Sequence, residues 1–178
     1  MAAGSSPTPL IVLRDAGPAD ARALPPLHAA AFPTPAEADL VARLLDGHDV
    51  LFSLVAEQHR RPVGHALITA MTHEQGGSVR GLAALAPVAV HPDHQRQGIG
   101  TALVHEAVRQ SREHRVAALF VLGDPRFYAP LGFIPAAEHG LTSAFGPAHA
   151  FQMIHLQPQR PLPPGRVHHA PEFVDLPA

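Results

Sequence analysis

The sequence predicts an α/β fold, a mixed and mostly antiparallel sheet flanked by helices, and three observations carry that expectation. Of 178 residues, 46% are hydrophobic and 16% charged, enough apolar material for one core at roughly 150 residues per domain. Two runs with a two-residue period, Val50 to Ala56 and Val63 to Met71, flank His59-Arg60-Arg61-Pro62, the pattern of an antiparallel hairpin. The order strand, loop, helix, strand from Val79 to Leu122 is a crossover connection, which makes its two strands parallel and adjacent. Residues 1–9 are expected as a disordered leader, 10–156 as the domain, and 157–178 as a Pro-rich C-terminal tail packed on it.

Leu10 to Arg14 reads as a short strand. Ala21 to Ala31 follows as a helix with a break expected at Pro25, because a proline inside a helix lacks the N–H its turn needs. Thr34-Pro35-Ala36-Glu37 resembles an N-cap, a first-turn proline and an early acid; Leu40, Val41, Leu44 and Leu45 continue at helical spacing, and Gly47 stops the run. The hairpin comes next, then a Gly76-Gly77 loop. Val79 to Val90 is a long uncharged strand apart from Arg80, and Pro87 within it implies a bulge or a splayed edge. His91 to Gln97 is a loop, and Gly98 opens a helix whose apolar stripe is Ile99, Leu103, Val104, Ala107 and Val108. Val116 to Leu122 is the next strand, Gly123-Asp124-Pro125 turns into a short helix carrying Tyr128, and Ala148 to Leu156 is the last strand expected.

Composition removes several function classes. The 13 basic residues are all Arg and face 15 acidic ones, a formal charge of -2, so no nucleic acid is expected as a partner; binding one electrostatically requires a basic excess. The absence of Cys removes a thiol nucleophile, a disulfide scaffold and a thiolate-ligated zinc. The longest apolar run, Leu82 to Val90, falls short of the ~20 residues of a membrane span, and no signal peptide starts the chain, so no membrane is expected and the expected location is cytoplasmic. Among 14 histidines, His91 and His94 with Asp93 form the best local cluster, and His168-His169 lacks a partner at ligand spacing; no metal is expected.

The segment Gln95-Arg96-Gln97-Gly98-Ile99-Gly100-Thr101 follows a strand and begins a helix. A helix N-terminus offers unpaired N–H groups and about half a positive charge, and its glycines allow an anionic group to approach the backbone, so a pyrophosphate fits. The run lacks both the Gly-Lys-Ser/Thr of a Walker loop and the third glycine of the dinucleotide fingerprint.

In its wider context, Leu85 through Leu103 closely resembles motif A of the Gcn5-related N-acetyltransferase (GNAT) superfamily, including Val90-His91-Pro92 as the Val-x-Pro after the fourth strand and the Gln/Arg-x-x-Gly-x-Gly signature. Phe127-Tyr128-Ala129-Pro130-Leu131-Gly132-Phe133 resembles that superfamily's Phe-Tyr-x-x-x-Gly-Phe motif. Leu122 to Pro125, Phe151 to Met153 and Ala170 to Phe173 further resemble a bacterial subgroup of predicted acetyltransferases. The resemblance implies an acyl-CoA N-acyltransferase fold with splayed central parallel strands, and acetyl-CoA as cosubstrate. Its pantetheine would bond the backbone of Val88 and Val90, its pyrophosphate would meet the amides from Gln95 through Arg96, Gln97, Gly98 and Ile99 to Gly100 with the Thr101 hydroxyl, and the Val88 or Ala89 amide would polarise the thioester carbonyl.

The same resemblance implies that Tyr128, the single tyrosine, protonates the departing thiolate or hydrogen-bonds to it. Several family members carry a glutamate where this chain has Ala84, so the general base is open among Glu37, Glu57, Asp124, His65 and His91; Asp124 instead could orient the cofactor. The expected reaction is acetyl transfer to a primary amine, on a small molecule or a peptide, by direct attack in a ternary complex, since no Cys can carry the acyl group. The acceptor pocket is expected between the first two helices, the loop from Thr72 to Ser78 and the last strands. A homodimer stays open, as do two other readings: a CoA-sensing module without transferase activity, and a His-dependent metallohydrolase.

Overall fold

The computed structural model describes residues 10–175; the expected leader lies outside the described residues. Strand β1 (Val12–Asp15) runs antiparallel to β2 (Val50–Gln58), which pairs antiparallel with β3 (Arg61–His73). The β2–β3 turn is only two residues long, tighter than the four expected, and both of them, His59 and Arg60, take the left-handed φ values of 49° and 63° that suit the twist of a tight hairpin. Between β1 and β2 lie α1 (Leu24–Ala31) and α2 (Ala36–Asp46). The expected break at Pro25 is not there: the helix starts at Leu24, so Pro25 and Pro26 occupy the first turn, where a missing N–H costs nothing. Pro35 is the N-cap residue of α2, and the Thr34 hydroxyl donates to the Glu37 carboxylate (3.1 Å) rather than to the backbone.

Strand β4 (Leu82–Val90), helix α3 (Ile99–Glu113) and β5 (Ala118–Leu122) form the crossover, and β4 and β5 are parallel. Their pairing covers Leu82–Ala118, Ala83–Leu119 and Ala84–Phe120 and then stops. On the other edge of β4, Ala66 faces Val88 and Ile68 faces Leu85, so Ala86 and Pro87 together oppose Leu67. Pro87 therefore produces both expected features: a bulge against β3, and an unpaired β4 edge from Leu85 onward on the β5 side.

The short α4 (Pro125–Tyr128) leads to β6 (Ile134–Pro135) and β7 (Leu141–Thr142), neither of which was expected. The last expected strand is shorter than its apolar run: β8 spans Phe151–His155, and Ala148–Ala150 is a 3-10 turn. Strand β9 (Gly165–His168), in the Pro-rich segment, pairs with Thr72 and His73 of β3 and with β7. Among the described residues the main order is β1-β2-β3-β4-β5-β8-β6, a mixed and mostly antiparallel sheet with helices on its faces.

Two-residue alternation distributes the core. Leu119 and Val121 of β5, with Ala83 and Leu85 of β4, pack under Leu103, Val104 and Ala107 of α3, while Ala118, Phe120, Leu82 and Ala84 face the opposite side with Met153 and Phe151. On that opposite side Leu40 and Leu44 of α2 meet Leu67, Ala170 and Phe173, and the Arg43 guanidinium donates to the Glu172 carbonyl (2.9 Å).

Candidate active site

Splaying of β4 from β5 opens a cleft of about 520 Å³. It gathers Val88, Val90, Gln95, Arg96, Gly98, Ile99, Gly100, Thr101, Asp124 and Tyr128, ten of the twelve residues singled out in the sequence, together with His94 and Phe127. Ala89 and Gln97 lie outside that lining. The His91 N–H donates to Val63 of β3 (2.9 Å), and peptide groups along a strand turn to alternate edges, so Ala89 also faces β3 while Val88 and Val90 face the open edge. Of the two amides considered for the thioester carbonyl, only that of Val88 is turned to the cleft. The side chain of Gln97 donates to the Asp93 carbonyl (3.2 Å), and that of Gln95 donates to the Val90 carbonyl (3.0 Å), tying the loop to the strand end.

The first intrahelical bond of α3 runs from Ala102 to Gly98 (2.9 Å), which leaves the amides of Ile99, Gly100 and Thr101 without helical partners at the cleft. Gly98 holds the left-handed φ of 82° that turns the chain into the helix. A Cβ on Gly100 would meet Phe127 at 3.5 Å and Val90 at 3.8 Å, ordinary contact distances, so packing does not require glycine there. Arg96 is the permanent cation among the lining residues; Asp124 caps α4 through the Arg126 amide (2.9 Å), and the Arg126 guanidinium holds its carboxyl below the usual carboxylate range. Orphan amides, a helix N-terminus and one arginine make this end of the cleft a seat for an anionic group.

Tyr128 stands in the wall between this cleft and a second cavity of about 360 Å³ on the other side of β4, and Val88 is the other residue common to both. Its ring is held edge-on by Phe127 and Phe133, with centroids 4.9 and 5.5 Å away. A Cβ on Gly123 would overlap the Tyr128 ring, so glycine just after β5 is what lets the ring approach. Burial pushes the phenol up to about 12, which keeps its proton in place at neutral pH.

The second cavity is lined by Phe32, Glu37 and Leu40 from the first two helices and their junction, by Leu85 to Val88, by Leu122 and Gly123, and by Phe145, His169 and Phe173. The expected loop from Thr72 to Ser78 takes no part in it; at that level β3 is paired with β9, and the C-terminal segment supplies the wall instead. Of the five candidate bases, Glu37 alone lines it. Glu57 accepts from Arg14 (2.7 Å) across β1 and β2, and the Nδ1 of His91 accepts from the Asp93 amide (3.3 Å) in the loop. His65 is fully buried between His28 (2.8 Å) and Ser53 (2.6 Å), and desolvation lowers it to about 3. Ala84 is buried in the core opposite Phe120 and lines neither cavity. Among the described residues no three His, Cys, Asp or Glu side chains converge as a metal site, and no helix is long and apolar enough to cross a membrane.

Phe127, Phe145, His169 and Leu40 were not singled out by sequence. Phe127 is adjacent to Tyr128 in a recognisable motif; the other three reach the site through tertiary packing and leave no local signal.

Comparison with known proteins agrees with this geometry. Residues 21–133 match the model of the acetyltransferase (GNAT) family. The uncharacterized N-acetyltransferase YhbS of Escherichia coli (strain K12) is 32% identical over 78% of this chain and 83% of its own. The structure of YhbS in complex with CoA superposes with a TM-score of 0.86, at 28% identity, over 96% of both chains. The uncharacterized N-acetyltransferase YjhQ from the same strain is 36% identical, over 57% of each chain, so this match spans little more than half of that relative. A GNAT family acetyltransferase from Brucella melitensis in complex with acetyl-CoA gives a TM-score of 0.78 at 25% identity, over 93% of this chain and 99% of that one.

Proposed function

The chain belongs to the acetyltransferase (GNAT) family, and from that premise we propose that it transfers an acetyl group from acetyl-CoA to a primary amine by direct attack while both substrates are bound. The observation that carries this reading is the pair of cavities meeting at Val88 and Tyr128, one suited to a phosphorylated cosubstrate and one to an acceptor. Acetyl-CoA supplies an activated thioester carbonyl. The amides of Ile99, Gly100 and Thr101, with Arg96 and the Thr101 hydroxyl, hold the pyrophosphate; the open edge at Val88 and Val90 holds the pantetheine as an added strand would. The Val88 amide donates to the oxygen on which charge develops, an interaction commonly worth several kcal/mol. Asp124 fixes the turn that presents Tyr128.

Tyr128 acts on the departing sulfur. A phenol near 12 transfers its proton uphill to a thiolate whose conjugate acid lies near ~8.5, so the role favoured is a hydrogen bond that stabilises the thiolate rather than complete protonation. The compartment proposed is the cytoplasm.

The test is acetyl-CoA binding followed by transfer. At one hundred times its dissociation constant a ligand adds about 2.7 kcal/mol, which for a chain of this size raises the unfolding midpoint by roughly 5 to 10 °C. That shift, with acetyl-CoA consumed when an amine is added, is the expected result. No shift at millimolar acetyl-CoA would overturn the reading, and a shift without turnover on any amine would leave a CoA-sensing module in its place.

A further inference from the structure

We infer that the second cavity selects a small, singly charged primary amine with an apolar body, and that Glu37 is the residue that draws the ammonium in. The inference rests on the acetyltransferase reading and names the acceptor class of that same site.

Charge inventory carries the argument. Among the described residues Glu37, half-buried at the start of α2, is the cavity's one carboxylate, and its Oε2 accepts from the Thr34 hydroxyl (3.1 Å). Among the described residues no arginine lines the cavity; Arg43 of α2 is turned to the Glu172 carbonyl. The remaining polar groups are neutral at pH 7. Desolvation, aided by His168, lowers His169 to about 4, and the ring sits among Phe145, Phe151 and Phe173 with its Nδ1 buried and unpaired among the described residues. Tyr128 keeps its proton. The lining therefore carries one negative charge set in a wall of Phe32, Leu40, Leu85, Phe145 and Phe173.

Each substrate class meets this inventory differently. An amino acid brings a carboxylate that finds no cation and faces Glu37, and a polyamine brings a second ammonium that finds no second acid; an unpaired charge taken out of water is costly. A monoamine pairs its one charge and lays its carbon skeleton on the apolar wall. The volume of about 360 Å³ stands at the small end of the range for ligand sites, which favours a compact molecule over a peptide. His169 and Phe173 come from the segment that β9 docks onto β3, so this C-terminal segment shapes the choice of acceptor. Overall the ammonium loses one proton to solvent, the neutral nitrogen forms the C–N bond as the C–S bond breaks, and the nitrogen's second proton balances the departing thiolate, giving the amide, CoA thiol and one released proton.

Calorimetric titration of the full chain saturated with CoA tests this with 2-phenylethylamine, L-phenylalanine and spermidine, on the parent and on Glu37→Gln. The first amine is expected to bind at least about tenfold tighter than the other two, and Glu37→Gln to weaken it about tenfold while CoA affinity holds. Equal or tighter binding of the amino acid or the polyamine, no binding of any amine, or an unchanged affinity in Glu37→Gln would overturn the inference while leaving the acetyltransferase reading in place. CoA failing to bind the parent chain would overturn both.

Discussion

The two cavities on either side of β4 are built in opposite ways. The cleft proposed for the cosubstrate comes from short stretches of chain, Val88 to Thr101 and Asp124 to Tyr128, in which a strand end, a left-handed glycine and a helix N-terminus follow one another directly. The cavity proposed for the acceptor is assembled from Phe32 to Leu40, Leu85 to Val88, Leu122 to Tyr128, Phe145 and His169 to Phe173, segments up to about 140 residues apart. Binding of a fixed cosubstrate can be encoded locally by backbone groups. On the proposed reading, choice of acceptor falls to side chains that only the tertiary fold brings together, and those other than Val88 and Tyr128 lie outside the cleft lining.

Tyr128 belongs to both cavities, so the largest effect should come from it. Tyr128→Phe is expected to cut turnover about 10²-fold or more while acetyl-CoA still raises the unfolding midpoint, because the lost hydroxyl acts on the transition state and not on cosubstrate binding. Steady-state kinetics beside a thermal shift decide it; turnover within twofold of the parent would reduce Tyr128 to a packing residue.

Gly100→Val breaks the comparison on the cleft side alone. Its Cβ meets only ordinary contacts, and valine is no worse a helix former than glycine, so the unliganded midpoint should stay within about 2 °C of the parent. The acetyl-CoA shift should fall to a small fraction of the parental 5 to 10 °C, since the side chain projects where the phosphates must approach. A lower unliganded midpoint with an undiminished shift would make Gly100 a structural glycine.

The smallest effect sharpens the contrast through pH. Buried histidines with resolved shifts stand on the acceptor side: His28, lowered to about 4, stacks on Phe32 of the cavity wall with centroids 5.9 Å apart, and hydrogen-bonds to His65, lowered to about 3. Desolvation is the main cause for each. Because their folded values lie below the unfolded value of 6.5, the unfolded chain takes up protons first as pH falls, and stability declines from about pH 6.5 toward pH 4. Each histidine contributes on the order of 1 kcal/mol per pH unit in that window and nothing above it. His169, also lowered to about 4, adds a contribution of the same sign, so urea unfolding at pH 7.5 and 5.5 should differ by about 1 to 4 kcal/mol, less stable in acid. Identical stabilities would show that none of the three rings is held neutral.

These contrasts explain what was legible in the sequence. The hairpin, the crossover and the α3 stripe were readable because each has a fixed period, and the Pro87 bulge because proline cannot join a ladder. Of the ten cleft residues, those from Gln95 to Thr101 were readable because glycine spacing and helix polarity are local properties, while Val88, Val90, Asp124 and Tyr128 came only from the family resemblance. Ala89 was misplaced by one step of strand alternation, which turns its amide toward β3. Strand β9 escaped notice because Gly165 to His168 has no alternation of its own and exists by pairing with an edge that β3 extends beyond β4. His169 and Phe173 were named in the sequence, one in a histidine pair and the other in the family resemblance, but neither was placed at the site, because only the β9 pairing brings them there.

The central claim is that the two cavities are loaded at once and that the acetyl group crosses directly between them at Val88 and Tyr128. Initial velocities measured while acetyl-CoA and an amine are both varied test it most directly. Direct transfer gives double-reciprocal lines that intersect, with no exchange of label between CoA and acetyl-CoA when amine is absent. Parallel lines, with exchange in the absence of amine, would establish an acetylated enzyme and contradict the account.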